Sequence, residues 1–291
     1  MTRAACDPPR TGPHAVRPLA GSNRRASGGG RTRFVGTAHH ADEEAASLRA
    51  DHPAVIEGRT LFPSRVFDID QCERILIGGK NNAKIGATIE KGPWAGMPVL
   101  TLTLEERATC PRSCHHFRSC FGNAMHFARR HRHGPELIER LDEELAYYAD
   151  QDRGGFAVRL HVLGDFWSEE YVECWANWMV RFPMLHVWGY TARQVHTPIG
   201  AMIEAMNLRW PARWCIRFSV PPTAPIEPMQ VTTIWRQPEG ARVAESLSCP
   251  QQRDKFATCG TCAICFQPGL EHERVVFTGH GMRGRPTKLS T

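Results

Sequence analysis

With 291 residues, 42% of them hydrophobic and 23% charged, the chain has the composition of a globular protein and the length to bury a sizeable core. No apolar run approaches the roughly 20 residues that cross a bilayer, and Met1-Thr-Arg-Ala-Ala-Cys6 lacks the apolar stretch of a secretory leader; this reading excludes a membrane span and predicts a cytoplasmic protein. The net charge of +6 is local: residues 1–35 hold seven Arg against Asp7, which leaves 29 basic and 29 acidic residues in the rest. That balance argues against a body built around phosphate neutralisation and leaves nucleic acid, or another acidic partner, to the tail.

Residues 1–52 carry Pro, Gly, Ser and Arg without a sustained hydrophobic period and predict a disordered basic N-terminal tail. From Ala54 the pattern changes. Met97–Leu104 is apolar and β-branched and predicts a buried strand that ends where Glu105, Glu106 and Arg107 begin. Gly134-Pro135 opens a helix with Leu137, Leu141, Leu145 and Tyr148 on one face, and Gly154-Gly155 closes it. Phe156, Val158, Leu160 and Val162 alternate as a strand before the Gly164-Asp165 turn, and Ser168 caps the next helix, with Glu169 and Glu170 in its first turn and Pro183 at its end. A strand at Leu185–Tyr190, a helix from Thr197-Pro198 to Leu208 and a strand at Trp214–Val220 follow, with further strands at Val231–Arg236 and Arg274–Thr278. Prolines 221, 222, 225 and 228 break the helix expected between the strands at 214–220 and 231–236. The strand–helix beat predicts an α/β fold whose mostly parallel strands form either a partial barrel or an open sheet, over residues 53–240, with a Cys-rich C-terminal extension at 241–291.

Eleven cysteines in a chain read as cytoplasmic point to metal rather than to a disulfide framework. Cys6, Cys72, Cys174 and Cys215 stand alone and are read as small buried or tail residues. Cys110, Cys114 and Cys120 lie within eleven residues on the loop leaving the first strand. Three thiolates on one loop suit a [4Fe–4S] cube whose fourth iron stays open, while His115 or His116 could complete a zinc site instead. Cys249, Cys259, Cys262 and Cys265, with two successive C-x-x-C steps, supply all four ligands of a second centre, structural or electron-relaying, and zinc is again the alternative metal. The basic stretch His126, Arg129, Arg130, His131, Arg132 and His133 is read as a solvated helix face rather than an anion clamp. Trp167, Trp175 and Trp178 are read as core packing rather than a stacking platform.

A first strand, a three-cysteine loop, a helix and a second strand closing on Gly164-Asp165 resemble the radical S-adenosylmethionine superfamily. The resemblance implies a partial (β/α)6 barrel, S-adenosylmethionine as small-molecule cofactor at the open iron, and an external electron donor. It also implies cofactor contacts at Gly164 and Asp165, and at Tyr190, Arg193 and Ser219 on the ends of the next two strands. Cysteine spacings of three then five residues, where three then two is usual, and Gly-Asp in place of Gly-Gly-Glu-Pro depart from that pattern. From about Pro53 to His280 the chain is also similar to phage and bacterial proteins of the gene product eighty-eight type. That likeness rests on Thr-Leu-Thr-Leu-Glu-Glu-Arg-Ala-Thr-Cys110-Pro, Cys120-Phe-Gly-Asn123, His161-Val-Leu-Gly164-Asp165-Phe166 and the terminal cysteine array. The contrasting expectation is a non-catalytic, zinc-stabilised binding protein whose tail recruits nucleic acid or a phage partner.

Overall fold

The computed structural model describes residues 43–152, 154–234, 246–252, 257–267 and 269–279. Residues 1–42, and with them the arginine-rich part of the predicted tail, lie outside the described residues. The tail boundary itself needs correction. Glu43–Ala46 forms a helical turn (α1), Leu48 is buried, and the Leu48 amide donates to the Arg118 carbonyl at 3.1 Å. A second short turn follows at Pro53–Ile56 (α2).

The elements then run β1 (Val66–Phe67), β2 (Ile77–Gly78), β3 (Val99–Thr101), β4 (Arg130–His131), α3 (Pro135–Gln151), β5 (Phe156–Leu160), α4 (Glu169–Arg181), β6 (Leu185–Thr191), α5 (Pro198–Arg209), β7 (Trp214–Val220), β8 (Gln230–Ile234), β9 (Ser246–Ser248), α6 (Cys259–Cys262) and β10 (Arg274–Thr278). An eight-stranded sheet has the order β2-β3-β5-β6-β7-β8-β10-β9, and only the β2–β3 pair is antiparallel. The fold is therefore α/β with a mostly parallel sheet. The strand predicted over Met97–Leu104 pairs as β3 over just three residues.

Local chemistry explains the regular part. The Ser168 hydroxyl accepts from the Tyr171 amide at 3.1 Å and the Thr197 hydroxyl from the Gly200 amide at 3.2 Å, so α4 and α5 begin where their N-caps stand. Proline occupies the first turn of α3 and of α5, where no amide is needed. Period-2 alternation then sends strand residues to opposite faces. Phe156, Val158, Leu160, Leu185, Val187, Trp214 and Ile216 pack under α3, α4 and α5 with Leu141, Trp175 and Ile203. Each fully buried side chain of this size contributes ~1.5–3 kcal/mol. Trp175 and Trp178 are core residues, as the sequence predicts, while half-buried Trp167 stacks on Tyr171 with ring centroids 3.6 Å apart.

The opposite face has a different cover. Val99, Ala157, Trp188 and Cys215 meet Ile85, Ile89, Trp94 and Phe266, which come from the segment after β2 and from the cysteine-rich region. Trp94 stacks on Phe266 at 4.8 Å and its indole N–H donates to the Ala212 carbonyl at 2.7 Å. One face of the sheet thus carries helices and the other carries the C-terminal cysteine loop. Among the described residues no helix is long and apolar enough to cross a membrane.

The basic stretch after the first cysteine group is not a solvated helix face. Arg130–His131 forms β4, parallel to β1, and both residues are buried. The reason is a partner that local patterning does not reveal: Arg130 is paired with Glu106, both fully buried. His131 is buried too, and burial pushes its pKa down to about 4, with Arg129 acting in the same sense. An unfolded histidine titrates near 6.5, so between those values the unfolded chain binds the extra proton. The stability that neutral His131 contributes is therefore complete above pH 6.5 and is lost as pH falls toward 4, by up to ~3 kcal/mol. Denaturant unfolding at pH 7, 5.5 and 4.5 should show a shallower pH slope in His131→Gln than in the parent; equal slopes would refute the assignment.

Candidate metal centres

The first cysteine loop leaves β3 through Leu102 and Leu104, both fully buried, and then turns on three buried charges. Arg130 clamps Glu106 with two bonds, Nε to Oε2 at 2.6 Å and Nη2 to Oε1 at 2.9 Å, and the Thr60 hydroxyl donates to the same carboxylate at 2.8 Å. Glu105 accepts from Arg59 Nε at 2.8 Å. Arg107 donates to the carbonyls of Phe117 (2.8 Å) and Arg59 (3.2 Å) and to Asn123 Oδ1. Gly122 lies so close to Glu106 that a Cβ there would stand 2.5 Å from its carboxylate oxygen. Its amide instead donates to Cys120 Sγ at 3.4 Å. The glutamates and arginine that the sequence suggests merely end a strand are the stem of the cysteine loop.

Asp165 ties this loop to the next two strands. It is almost completely buried; Oδ1 accepts from the Thr191 hydroxyl (2.7 Å) and the Phe166 amide (2.8 Å), and Oδ2 accepts from the Ala192 amide (2.7 Å). The Asp165 amide donates to Thr109 Oγ1 at 3.0 Å, and Arg193 donates to the carbonyls of Phe166 (2.8 Å) and Thr109 (3.0 Å). Gly164, Asp165 and Arg193 are therefore brought to the three-cysteine loop, where Asp165 and Arg193 serve as its struts.

The three thiols are half-buried and lie within electrostatic reach of one another. Burial raises the Cys110 pKa well above its ordinary value, and Asp165, Cys120 and Cys114 each add to the rise. Cys114 is pushed up to about 12, by burial first and then by Cys120. Burial and Glu106 raise Cys120, against the opposing pull of Arg107. Burial and mutual proximity thus favour the neutral thiol at all three positions. His115 and His116 adjoin them with ring centroids 4.1 Å apart. Burial lowers both pKa values, His116 to about 3, so both present neutral imidazoles, and His115 Nε2 is buried without a hydrogen-bond partner. A cavity of about 620 Å³ opens beside Cys114 and His115, bounded by Glu43, Glu44, Val55 and Arg112.

The second set forms on the opposite side of the sheet from α3–α5. The Cys249 amide donates to the Val276 carbonyl of β10 at 2.8 Å, and the Cys259 and Gly260 amides donate to the carbonyls of Lys84 (2.8 Å) and Ile85 (3.0 Å). Thr258 caps the single turn of α6. Arg217 on β7 gathers the carbonyls of Cys265 (2.9 Å), Leu270 (2.8 Å) and Glu273 (2.7 Å). Burial pushes Cys249 and Cys259 up to about 12, with Cys265 the next cause for each, and burial also raises Cys265. These thiols interact as the first three do. Among the described residues, no three His, Cys, Asp or Glu side chains close to the spacing that holds a single metal ion.

Two further residues predicted to contact a cofactor are Tyr190 and Ser219. The Tyr190 hydroxyl donates to Cys265 Sγ at 3.0 Å, beside the C-terminal cysteines. Ser219 is half-buried near the end of β7, two residues beyond Arg217 on the same face. Sequence reasoning gave no site role to Glu106, Arg107 or Thr109, although the Thr-Leu-Glu-Glu-Arg-Ala-Thr-Cys110 run contains all three, and it read Arg130 as part of a solvated stretch.

A family model described as gene product 88 matches residues 76–268, which include both cysteine loops. No curated protein and no solved structure matches the chain.

Proposed function

The chain belongs to the gene product 88 family, and we propose that it is an iron–sulfur protein with two centres that acts as a radical S-adenosylmethionine-type enzyme. Cys110, Cys114 and Cys120 would hold a [4Fe–4S] cluster with one iron free of protein ligands, and Cys249, Cys259, Cys262 and Cys265 would hold a fully ligated one. One observation carries the reading: three half-buried thiols on the loop at the carboxyl end of the first parallel strand, with Asp165 and Arg193 of the next two connections bonded to Thr109, the residue before Cys110. Ligands of parallel sheets gather at the carboxyl ends of the strands. The parallel strands β3, β5, β6, β7, β8 and β10 follow one another in chain order, which supports a six-stranded partial barrel.

Held by Cys110, Cys114 and Cys120, such a cluster would supply an electron for reductive cleavage of the cofactor. The chain's own part is positional: Glu106 and Arg130 fix the loop, and Asp165 and Arg193 lock it to β6. The cavity beside Cys114 offers space for a substrate. A second reading, zinc at both sites in a non-catalytic binding protein, draws on His115, whose buried Nε2 could complete a Cys3His set. The ligand count at the first loop favours iron, since three thiolates fill three corners of a cube and leave the fourth iron open. Zinc–sulfur bonds of about 2.3 Å draw ligands tightly round one ion, whereas each thiolate of a cube has an iron of its own.

Purified and reconstituted without air, the protein should contain about eight irons and eight sulfides per chain. It should release 5′-deoxyadenosine when reduced with S-adenosylmethionine. Alanine at Cys110, Cys114 and Cys120 together should halve the iron and abolish the product. Stoichiometric zinc without sulfide would sink the iron reading, and full iron without cofactor binding or product would sink the radical reading alone.

A further inference from the structure

Tyr190 stands at a crossing. Successive residues of β6 face opposite sides of the sheet, so Tyr190 reaches the four-cysteine set while Thr191 and Ala192 hold Asp165 beside Cys110. The phenol is half-buried and its hydroxyl is within hydrogen-bond reach of the Cys265 sulfur. Arg159, from the neighbouring β5, lies over the Tyr190 ring, its guanidinium carbon 4.3 Å from the centroid, and Phe277 meets the ring edge at 5.4 Å. These contacts fix the ring. A guanidinium over the ring face also draws electron density from it, which strengthens the hydroxyl as a donor.

Given the iron–sulfur reading above, we propose that the four-cysteine centre is redox-active and that Tyr190 is the positioning residue that sets its potential, through the hydrogen bond to Cys265. A donor to a ligating sulfur favours the more electron-rich, reduced state and so raises the potential, and hydrogen bonding at sulfur is one of the recognised controls on such centres. A purely structural four-cysteine site has no use for such a donor. Apolar packing on its sulfur would serve, and the cation above the ring would add only desolvation cost. The strand that carries Tyr190 also reaches the first centre two residues later, a short covalent and hydrogen-bonded route between the two.

The test uses the full chain carrying alanine at Cys110, Cys114 and Cys120, so that one centre remains, with Tyr190→Phe added. Both proteins are reconstituted with iron and sulfide and titrated against solution potential, following the electron paramagnetic resonance signal of the reduced centre. The phenylalanine variant should keep its iron, and at a fixed poise its reduced-to-oxidised ratio should fall roughly tenfold, equivalent to a midpoint about 59 mV lower for one electron. Arg159→Gln, which leaves the phenol in place, should move the midpoint the same way by less. Unchanged midpoints with full iron in both variants would overturn the proposal. Loss of iron in both would overturn it in favour of a scaffolding role. Absence of iron before Tyr190 is changed would instead defeat the iron–sulfur reading itself.

Discussion

Arg130→Met should destabilise the protein by ~3–5 kcal/mol and, on the iron–sulfur reading, strip iron from the three-cysteine loop while sparing the C-terminal set. The estimate is the usual cost of removing one partner from a buried ion pair, because the charge left behind has neither water nor a counter-ion. Here that charge is Glu106, fully buried and left with the Thr60 hydroxyl as a donor. The loss extends beyond Glu106. Arg130 also donates to the carbonyls of Ala128 (2.7 Å), Gly122 (3.1 Å) and Met125 (3.2 Å), which follow Cys120 directly. Without those bonds the segment that carries Cys120 keeps only its own turn bonds and those from Arg107 and Asn123. Glu106→Leu together with Arg130→Met removes both charges and should recover part of the stability without restoring the carbonyl contacts, so metal retention should remain poor. Denaturant unfolding and iron per chain measure both effects. A midpoint for Arg130→Met within about 0.5 kcal/mol of the parent, the scale of an ordinary surface substitution, would show the pair to be unimportant.

The parts of this architecture that are legible in the sequence are those fixed by local chemistry. Ser168, Thr197 and Pro135 mark helix starts because capping needs only a hydroxyl or a missing amide at one place. The alternation at 156–162 and 185–190 marks strands because one face is buried under helices. What is not legible depends on partners distant in the chain. Arg130 reads as solvated until Glu106, 24 residues earlier, is known to face it. Residues 43–52 read as tail because their hydrophobic content is low, and they are held instead through backbone bonds to Arg118, such as its Nε donating to the Leu48 carbonyl at 2.6 Å. The place of β9 beyond β10, and of Tyr190 beside Cys265 rather than Cys110, are likewise pairings no local pattern carries. The two cysteine groups were visible at once, since spacing is a sequence property. That members of each group lie close enough to raise one another's pKa is a property of the fold.

Gly164→Ala should damage the first centre selectively. Gly164 has φ +85°, where a side chain is strained, and an added Cβ would stand 2.6 Å from both Leu104 Cβ and Thr109 Oγ1. Strain at such a position and overpacking each cost about 1–3 kcal/mol, so a total of roughly 2–6 kcal/mol is expected. The direction of relief matters more than the sum. Leu104 belongs to the buried core and cannot retreat, so Thr109 must move. Thr109 Oγ1 is the acceptor for the Asp165 amide and donates to the Glu105 carbonyl at 2.9 Å, and its carbonyl receives Arg193. Displacing it loosens the residue next to Cys110 from all three supports. The four-cysteine set shares none of these contacts, since it hangs on Lys84, Ile85, Arg217 and Val276. Gly164→Ala should therefore retain about half of the iron on the two-cluster reading, with the remaining reduced signal matching that of the protein lacking Cys110, Cys114 and Cys120. Equal loss from both centres would mean that the two loops fold as one unit, and full retention would mean that Thr109 is not what holds Cys110 in place.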